Sequence, residues 1–428
     1  MHILLIGATG FIGRHVAQAL EDAGHRLRCT TRHGTVRRPV DDAGAPRREW
    51  IVMATEDMPS AEAWQPALEG IELVVCAVGI FREARPGQFE LLHHEVPRAL
   101  CQACVTAGVR RLLHVSALGA DEAARTPYHL SKRAGDDAVL ASGLQALVLQ
   151  PSLVFGLDGA SASVFLRWAA LPWLAVPNGA GQVQPVHVDD VAAAVVRWAQ
   201  TPVPASGRLA AVGPRPLDLA HYLQVLRHGL GLAEARVVRL PAWSVSLAAR
   251  AGRWWPGSLL TPEAWQMLQR GNVAPALPFA QALGRAPRPP MAFVGPEGAW
   301  LRQAARGAPW VALLRVSLAM VWLVTAAVSA GIYPVQDSLE LLARVGATGA
   351  TALWLLYGAA AFDFGLGVAT LCCPGRRLWW AQIGLIAFYT AVITWKLPEF
   401  WAHPYGPVLK NLPMLAALGL LLALERRP

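Results

Sequence analysis

Charge is scarce in this 428-residue chain. Only 16% of its residues are charged, against about a quarter in an average soluble domain, and its mean hydropathy is +0.34. The 54% hydrophobic content excludes a disordered or collagen-like polypeptide. Cysteine is sparse as well: six residues are too few for a disulfide scaffold, and their sparsity suits a reducing cytoplasm. Cys101-Gln-Ala-Cys104 has the spacing of half a zinc site, but no second pair or histidine cluster completes it. No metal is expected, and the segment 96–107 reads as an amphipathic helix in which small thiols pack. Lysine is nearly absent. The net charge of +9 comes from arginine, since Lys132, Lys396 and Lys410 are the only lysines among 38 basic residues. The arginines are scattered, with no run of five, which argues for a solvated or lipid-facing positive surface and against a nucleic-acid partner. Met1-His-Ile-Leu-Leu-Ile-Gly7 lacks the charged start and long apolar run of an export signal, and reads as a buried strand. Internal repeats and low-complexity tracts are also missing.

What is present is alternation. Strand-like runs at 3–6, 26–31, 50–53, 71–78, 111–116 and 146–150 are separated by helix-like stretches at 11–23, 61–69, 89–107 and 130–141. Strands that are apolar on both sides, alternating with helices, predict a parallel sheet covered on both faces. Residues 156 to about 295 are richer in Pro and Trp, and are expected to form a smaller lobe over the carboxyl edge of the sheet. The expected organisation is an α/β Rossmann-type doubly wound domain over 1–290, a linker over 291–309 and a four-helix transmembrane bundle over 310–428. The last region contains four apolar blocks, 310–331, 348–373, 378–395 and 407–424, each long enough for a ~30 Å hydrocarbon core. Trp379, Trp380, Trp395 and Trp401 sit at block ends like interfacial belts. Four spans put both ends on one side, with Arg302, Arg306, Arg376, Arg377, Arg426 and Arg427. The opposite loops hold Arg344, Lys396 and Lys410. The positive-inside rule then predicts a multi-pass protein of the inner (cytoplasmic) membrane with its amino-terminal domain in the cytoplasm. Arg315 and Asp363, inside apolar blocks, are expected to pair or to line a polar pocket. The loop holding Glu399, His403 and Asn411 could seat a quinone headgroup or simply anchor at the interface.

Two motifs carry chemistry. Gly7-Ala-Thr-Gly10-Phe-Ile-Gly13 follows a strand and opens a helix. Glycines there permit the tight turn, let backbone approach a pyrophosphate and bring helix close to sheet, while the helix N-terminus attracts phosphate charge. The second strand ends in Cys29-Thr-Thr-Arg32, where an NAD enzyme normally has an acidic residue. Arg32, with Arg37 and Arg38 close behind, favours a 2′-phosphate. NADP(H) is therefore expected in preference to NAD(H), which is the alternative. The second motif is Tyr128-His-Leu-Ser-Lys132. Lys132 is the only lysine before residue 396 and Tyr128 the only tyrosine before residue 222. A spacing of four places both on one helix face. A lysine ammonium beside the phenol is expected to lower its pKa so that it exchanges a proton near neutrality.

Through these motifs and Gln150-Pro-Ser-Leu-Val-Phe-Gly156, residues 1–290 resemble an extended or atypical short-chain dehydrogenase/reductase. His114-Val-Ser-Ala-Leu-Gly-Ala-Asp121 and Gln184-Pro-Val-His-Val-Asp-Asp190 are similar to the group that contains the nucleotide-binding accessory subunit of respiratory complex I. The last ~120 residues resemble a DoxX-like four-helix membrane domain through Leu397-Pro-Glu-Phe-Trp401 and Lys410-Asn-Leu-Pro413. The resemblance implies that Gly7, Thr9, Gly10, Phe11, Ile12 and Gly13 cradle the pyrophosphate and Arg32 the 2′-phosphate. It implies further that Ala77, Val78 and Gly79 line the cofactor, and that Pro151, Ser152 and Leu153 pass beside the nicotinamide. Tyr128 is then the general acid/base, and Lys132 the ribose ligand that tunes it. The sequence departs from the family in two places. Ser116 is taken as the catalytic serine; the family's serine lies just past the fifth strand and about two dozen residues before the tyrosine, whereas Ser116 is only 12 before Tyr128 and Leu118 is a competing occupant of that place past the strand. The acidic residue after the third strand is displaced, with Ala54 preceding Glu56 and Asp57. The expected function is hydride transfer from NAD(P)H to a carbonyl or quinone-type small or lipid-soluble substrate at the membrane lipid. The alternative is a non-catalytic nucleotide-binding sensor or assembly module.

Overall fold

The computed structural model describes residues 1–31, 48–53, 57–252, 254, 260–295, 299–404 and 406–425. They form two compact units, Met1–Ala305 and Arg306–Pro428. Arg32, Arg37, Arg38, Ala54, Glu56, Arg426 and Arg427 lie outside the described residues.

The strands, in chain order, are β1 (His2–Ile6), β2 (Arg26–Thr31), β3 (Arg48–Val52), β4 (Leu73–Cys76), β5 (Arg111–Val115), β6 (Gln145–Pro151), β7 (Val154–Phe155), β8 (Trp173–Pro177), β9 (Val186–His187), β10 (Gly207–Ala211) and β11 (Arg236–Leu240). Seven of them make one parallel sheet in the order β10-β6-β5-β4-β1-β2-β3. The physical cause is visible in β1. Ile3 and Leu5 point into one core with Val16, Leu20, Val191 and Val195, while Leu4 and Ile6 point into another with Trp64, Leu100 and Val139. Side chains alternate across a strand, so an apolar residue at every position requires cover on both faces. Because β1 pairs with both β2 and β4, the strand order reverses beside it, and a crevice opens at the carboxyl ends there.

All six strand-like runs match the observed strands to within two residues at each end, the run 71–78 shortening to Leu73–Cys76. The stretch 89–107 is not one regular helix. It is a short turn at Gln88–Glu90, a π-turn at Leu91–Glu95 and an α-helix over Val96–Ala107. The Tyr128 helix begins earlier than the apolar periodicity suggested, at Pro127, because the Thr126 side chain caps it by accepting from the His129 N–H. Residues 156–295 form the expected lobe only in part: the small parallel pairs β8–β11 and β7–β9 and a separate core around Phe155, Leu223, Leu226 and Phe293 make it up, whereas β10 joins the main sheet and Val191, Val195, Phe279 and Leu283 pack in the sheet core.

The expected linker is helical from Ala299, where the helix Ala299–Ala327 begins. Among the described residues three segments, all in the second unit, are long and apolar enough to cross a membrane: Pro309–Ile332, Gly349–Cys372 and Arg376–Lys396. The fourth expected span is the 14-residue helix Asn411–Leu424, about 21 Å long at 1.5 Å per residue and short of a ~30 Å core. An additional amphipathic helix, Val335–Val345, occupies one connection. Leu318, Trp322, Leu366, Trp379, Ile386 and Leu418 form this unit's core, while Trp354 and Phe388 face outward, as lipid contact requires. Within the core, Trp322 Nε1 donates to Gln382 Oε1 (2.9 Å) and Gln382 Nε2 to Thr370 Oγ1 (2.8 Å). The expected pairing of Arg315 with Asp363 is not formed. Asp363 is 4% exposed and its Oδ1 has no hydrogen-bond partner among the described residues. The loop groups are engaged locally: Glu399 pairs with Arg344, His403 stacks on Phe400, and Asn411 Nδ2 donates to Thr390 Oγ1 (2.8 Å).

Candidate active site

The glycine loop joins β1 to the helix Phe11–Asp22 at the crevice. Gly7 has φ +84°, and a Cβ on it would lie 2.7 Å from the Ala77 carbonyl oxygen. A Cβ at position 13 would lie 2.0 Å from the Gly7 oxygen. Backbone therefore packs against backbone on both sides of the turn, where only glycine fits. The helix opens with Gly10 as its cap residue, has no side-chain cap and carries no acidic residue in its first turn. Its first N–H groups are left for an anion. This cradle, which any side chain would fill, fits a dinucleotide pyrophosphate. Thr9 is exposed on the loop. Phe11 contributes only backbone, because its ring is wedged where a Cβ on Gly156 or Gly159 would come within 2.8–2.9 Å. Ile12 packs on the core.

Ala77, Val78 and Gly79 continue from β4 to the same crevice, with the Ala77 N–H donating to the Ile6 carbonyl (2.9 Å). Opposite them stands Lys132, 3% exposed, whose ammonium donates to the carbonyls of Val78 (3.3 Å) and Val115 (3.2 Å). It lies next to Gly79, whose added Cβ would approach Nζ to 2.9 Å. The glycine loop, 77–79 and Lys132 are thus brought together. Pro151 and Leu153 offer backbone: the Pro151 carbonyl accepts from Leu118 N–H (2.9 Å), and the Leu153 carbonyl from Val186 N–H (3.0 Å). The Ser152 hydroxyl is used inside the fold, donating to the Gln184 carbonyl (2.5 Å).

The expected effect of Lys132 on Tyr128 is corrected by the structure. The ammonium is held by two strand-end carbonyls, and burial followed by the Asp136 carboxylate pushes the Tyr128 phenol up to about 12. Burial likewise pushes the Lys132 ammonium down, against the charge of Asp136 one helical turn away. Ser116 is corrected too. It directly follows β5, and its N–H is still held by the Leu149 carbonyl (2.7 Å), so it remains part of the sheet. Its hydroxyl is buried toward Asp136, and no hydrogen bond joins it to Tyr128. Leu118, two residues further on, has no hydroxyl. Its carbonyl accepts from Asn272 Nδ2 (3.2 Å).

Sequence reasoning missed His93. The π-turn places its ring between Phe89 (stacked, 5.3 Å) and Tyr128 (edge-on, 5.6 Å). The Ile80 N–H donates to Nε2 (3.1 Å), so the ring proton sits on Nδ1 and faces Ser131 Oγ (2.9 Å). Ser131 in turn donates to the Tyr128 carbonyl (3.0 Å). Burial, then the Lys132 charge, pushes His93 down to about 3, so it is neutral. Behind Lys132 lies a second buried group. Asp136 accepts from Gln150 Nε2 (2.9 Å), and His114 Nε2 stands 3.7 Å from its other oxygen. Burial raises the Asp136 carboxyl to about 6 and holds His114 neutral. The signals for these residues were the four-residue step from Lys132 to Asp136 and a histidine on an otherwise apolar strand. Nothing local marked the π-turn. The Gln184–Asp190 motif proves to be a clasp: Gln184 Nε2 donates to the Gly213 carbonyl (2.8 Å), and buried Asp190 takes Arg285 (2.5 Å) and the Arg288 N–H (2.6 Å).

Comparison with known proteins agrees with this geometry. Residues 3–213 match the NAD dependent epimerase/dehydratase family, and residues 319–419 the DoxX-like family. The chain is 30% identical over 261 residues to a ceramide reductase of Caulobacter vibrioides, covering 61% of this chain and 80% of that protein. The chain belongs to the NAD-dependent epimerase/dehydratase family. Its epimerase/dehydratase domain is also similar to subunit 9 of the NADH dehydrogenase [ubiquinone] 1 alpha subcomplex of Mus musculus, at 30% identity over 52% of this chain and 59% of the subunit. The epimerase/dehydratase fold is shared with the Bordetella bronchiseptica enzyme WbmG in complex with NAD, at a TM-score of 0.52 and 16% identity, covering 71% of this chain and 95% of that one. A nicotinamide-binding, oxidoreductase-type domain is therefore joined to a DoxX-like membrane domain.

Proposed function

We propose that this protein is a membrane-anchored reductase that uses NADPH to reduce a carbonyl on a lipid substrate. The observation that carries the reading is the convergence of the glycine cradle, the Val78 and Val115 carbonyls, Lys132 and Tyr128 on one crevice. The likeness to a ceramide reductase supports a lipid as substrate, and Arg32 supports NADPH. When bound, the reduced nicotinamide supplies a hydride for the carbonyl carbon. Gly7, Gly10 and Gly13 hold the pyrophosphate by backbone, and Lys132 is placed beside Gly79 to bind ribose hydroxyls. Tyr128, protonated at neutral pH as any phenol is, gives its phenolic proton to the carbonyl oxygen as charge develops there. Phe81 and Phe89 pack edge-on against its ring (5.3 and 5.9 Å). His93, neutral and bonded on both nitrogens, positions the Tyr128 backbone.

The test follows NADPH absorbance with the full chain in lipid nanodiscs containing a carbonyl-bearing ceramide-type lipid or a short-chain quinone. Turnover with the lipid that falls by about 10²–10⁴ in Tyr128→Phe, with NADPH binding retained, is the expected result. Full activity in that variant refutes the role of Tyr128. A second reading, a nucleotide-binding module without turnover, is favoured by Ser116 facing Asp136 instead of Tyr128. It predicts NADPH binding with a flat trace for every acceptor.

A further inference from the structure

The helix Ala242–Gly252 in the lobe has one face without a protein partner among the described residues. Val245 (4% exposed) and Ala249 (0%) pack against Trp265, and Trp265 Nε1 donates to Ser246 Oγ (3.1 Å). On the other side Trp243 is 71% exposed and Leu247 61%, and Trp254, in the turn just beyond, is 87% exposed. At about 100° per residue, positions 243, 247 and 250 fall within an arc of roughly 60°, so Arg250 shares the edge with Trp243 and Leu247. Residues 235–262 contain four arginines and no Asp or Glu. Large aromatic and aliphatic groups set among arginines, in a chain that carries its own membrane spans, match the make-up of a helix lying in a lipid interface. A water-facing surface gains nothing from two tryptophans this exposed.

We propose that the Trp243–Leu247–Trp254 face is a membrane-docking surface that seats the substrate lobe on an anionic bilayer. Its place in the fold gives the contact a use. The helix packs on the next one, Pro262–Arg270, whose last residue Arg270 binds Asp121 through both carboxylate oxygens (2.6 and 2.5 Å) and donates to the Gly119 carbonyl (2.8 Å). Asn272 holds the Leu118 carbonyl in the same loop, which leads into the Tyr128 helix. A lipid leaving the interface beneath the docking helix is thus one helix away from the crevice.

The test reads depth in the bilayer and is independent of whether a lipid is reduced. Leu247→Cys is labelled with a small fluorophore in the full chain, with exposed Cys372 and Cys373 replaced by Ser. The protein is reconstituted in phosphatidylcholine nanodiscs with and without phosphatidylglycerol. Val203→Cys, at an 83% exposed loop residue, is the aqueous control. The expected result is loss of the 247 signal to nitroxide lipid and protection from iodide, stronger with phosphatidylglycerol, and the reverse at 203. Adding Trp243→Glu and Trp254→Glu, with NADPH binding intact, should return 247 to the behaviour of 203. The proposal is overturned if 247 is quenched by iodide like the control. It is equally overturned if 247 is shielded from both quenchers, which means that protein covers this face.

Discussion

A methyl group at position 13 would stand 2.0 Å from the Gly7 carbonyl oxygen, where an ordinary contact begins at 3.4 Å. Both partners are backbone, one at the start of a helix and the other in the turn leaving β1, so no side chain can swing aside. Gly13→Ala therefore requires the helix start to retreat from the turn by about 1.4 Å. Overpacking of this kind costs about 1–3 kcal/mol, offset by the ~0.5–1 kcal/mol that alanine contributes over glycine within a helix. A net loss of about 1–2 kcal/mol lowers the thermal midpoint by a few degrees. The effect on binding is larger, because the retreat moves the N–H groups that face the pyrophosphate. Loss of one hydrogen bond to a charged group is about 1.5–3 kcal/mol, or about ten- to a hundredfold in Kd. Gly24→Ala is the control. Gly24 has φ +83° with nothing within 4 Å of an added Cβ, so it pays only the left-handed penalty of about 1–2 kcal/mol. The two variants should lose similar stability while only Gly13→Ala loses NADPH affinity, as measured by thermal unfolding and by titration of the full chain in nanodiscs. Wild-type Kd in Gly13→Ala would refute the cradle.

Acid should destabilise the nucleotide-binding domain. His93 is pushed down to about 3 and His129 to about 4 by burial, below an unfolded value near 6.5, so the stability of the neutral forms is complete above that value and lost as pH falls toward 3. Asp136, raised to about 6, acts with the opposite sign and offsets one of them. His93→Gln should flatten the fall in thermal midpoint between about pH 7 and 5, by up to ~1.4 kcal/mol per pH unit, and an unchanged slope would show that His93 titrates normally. In the membrane unit, Trp322→Phe removes the donor to Gln382 and should cost about 0.6–2 kcal/mol of stability in mild detergent. Wild-type resistance to detergent unfolding would mean that the Trp322–Gln382–Thr370 chain is not formed.

Sequence alone determined the features that depend on neighbours along the chain. The apolar runs Ile3–Ile6 and Leu73–Cys76 required a sheet covered on both faces, the glycine spacing required a tight phosphate turn, and the charge-poor blocks after residue 309 required lipid. Tyr128 and Lys132 stood out because the chain hardly uses either residue elsewhere. Tertiary structure alone decided where their polar atoms go. Whether an ammonium lowers a phenol depends on distance and burial. The strand-end carbonyls of Val78 and Val115, contributed by separate parts of the chain, hold Lys132, and burial raises Tyr128. The length of the last apolar helix is set by where its turns close, so a block of 18 residues yielded 14 in helix. The π-turn that aims His93 at Tyr128 has no local signature, because one extra residue per turn is imposed by close packing against Gly135, where an added Cβ would meet the His93 carbonyl at 1.8 Å. Short-range patterns specify elements. The side chains that meet across them are chosen by packing, which no single segment contains.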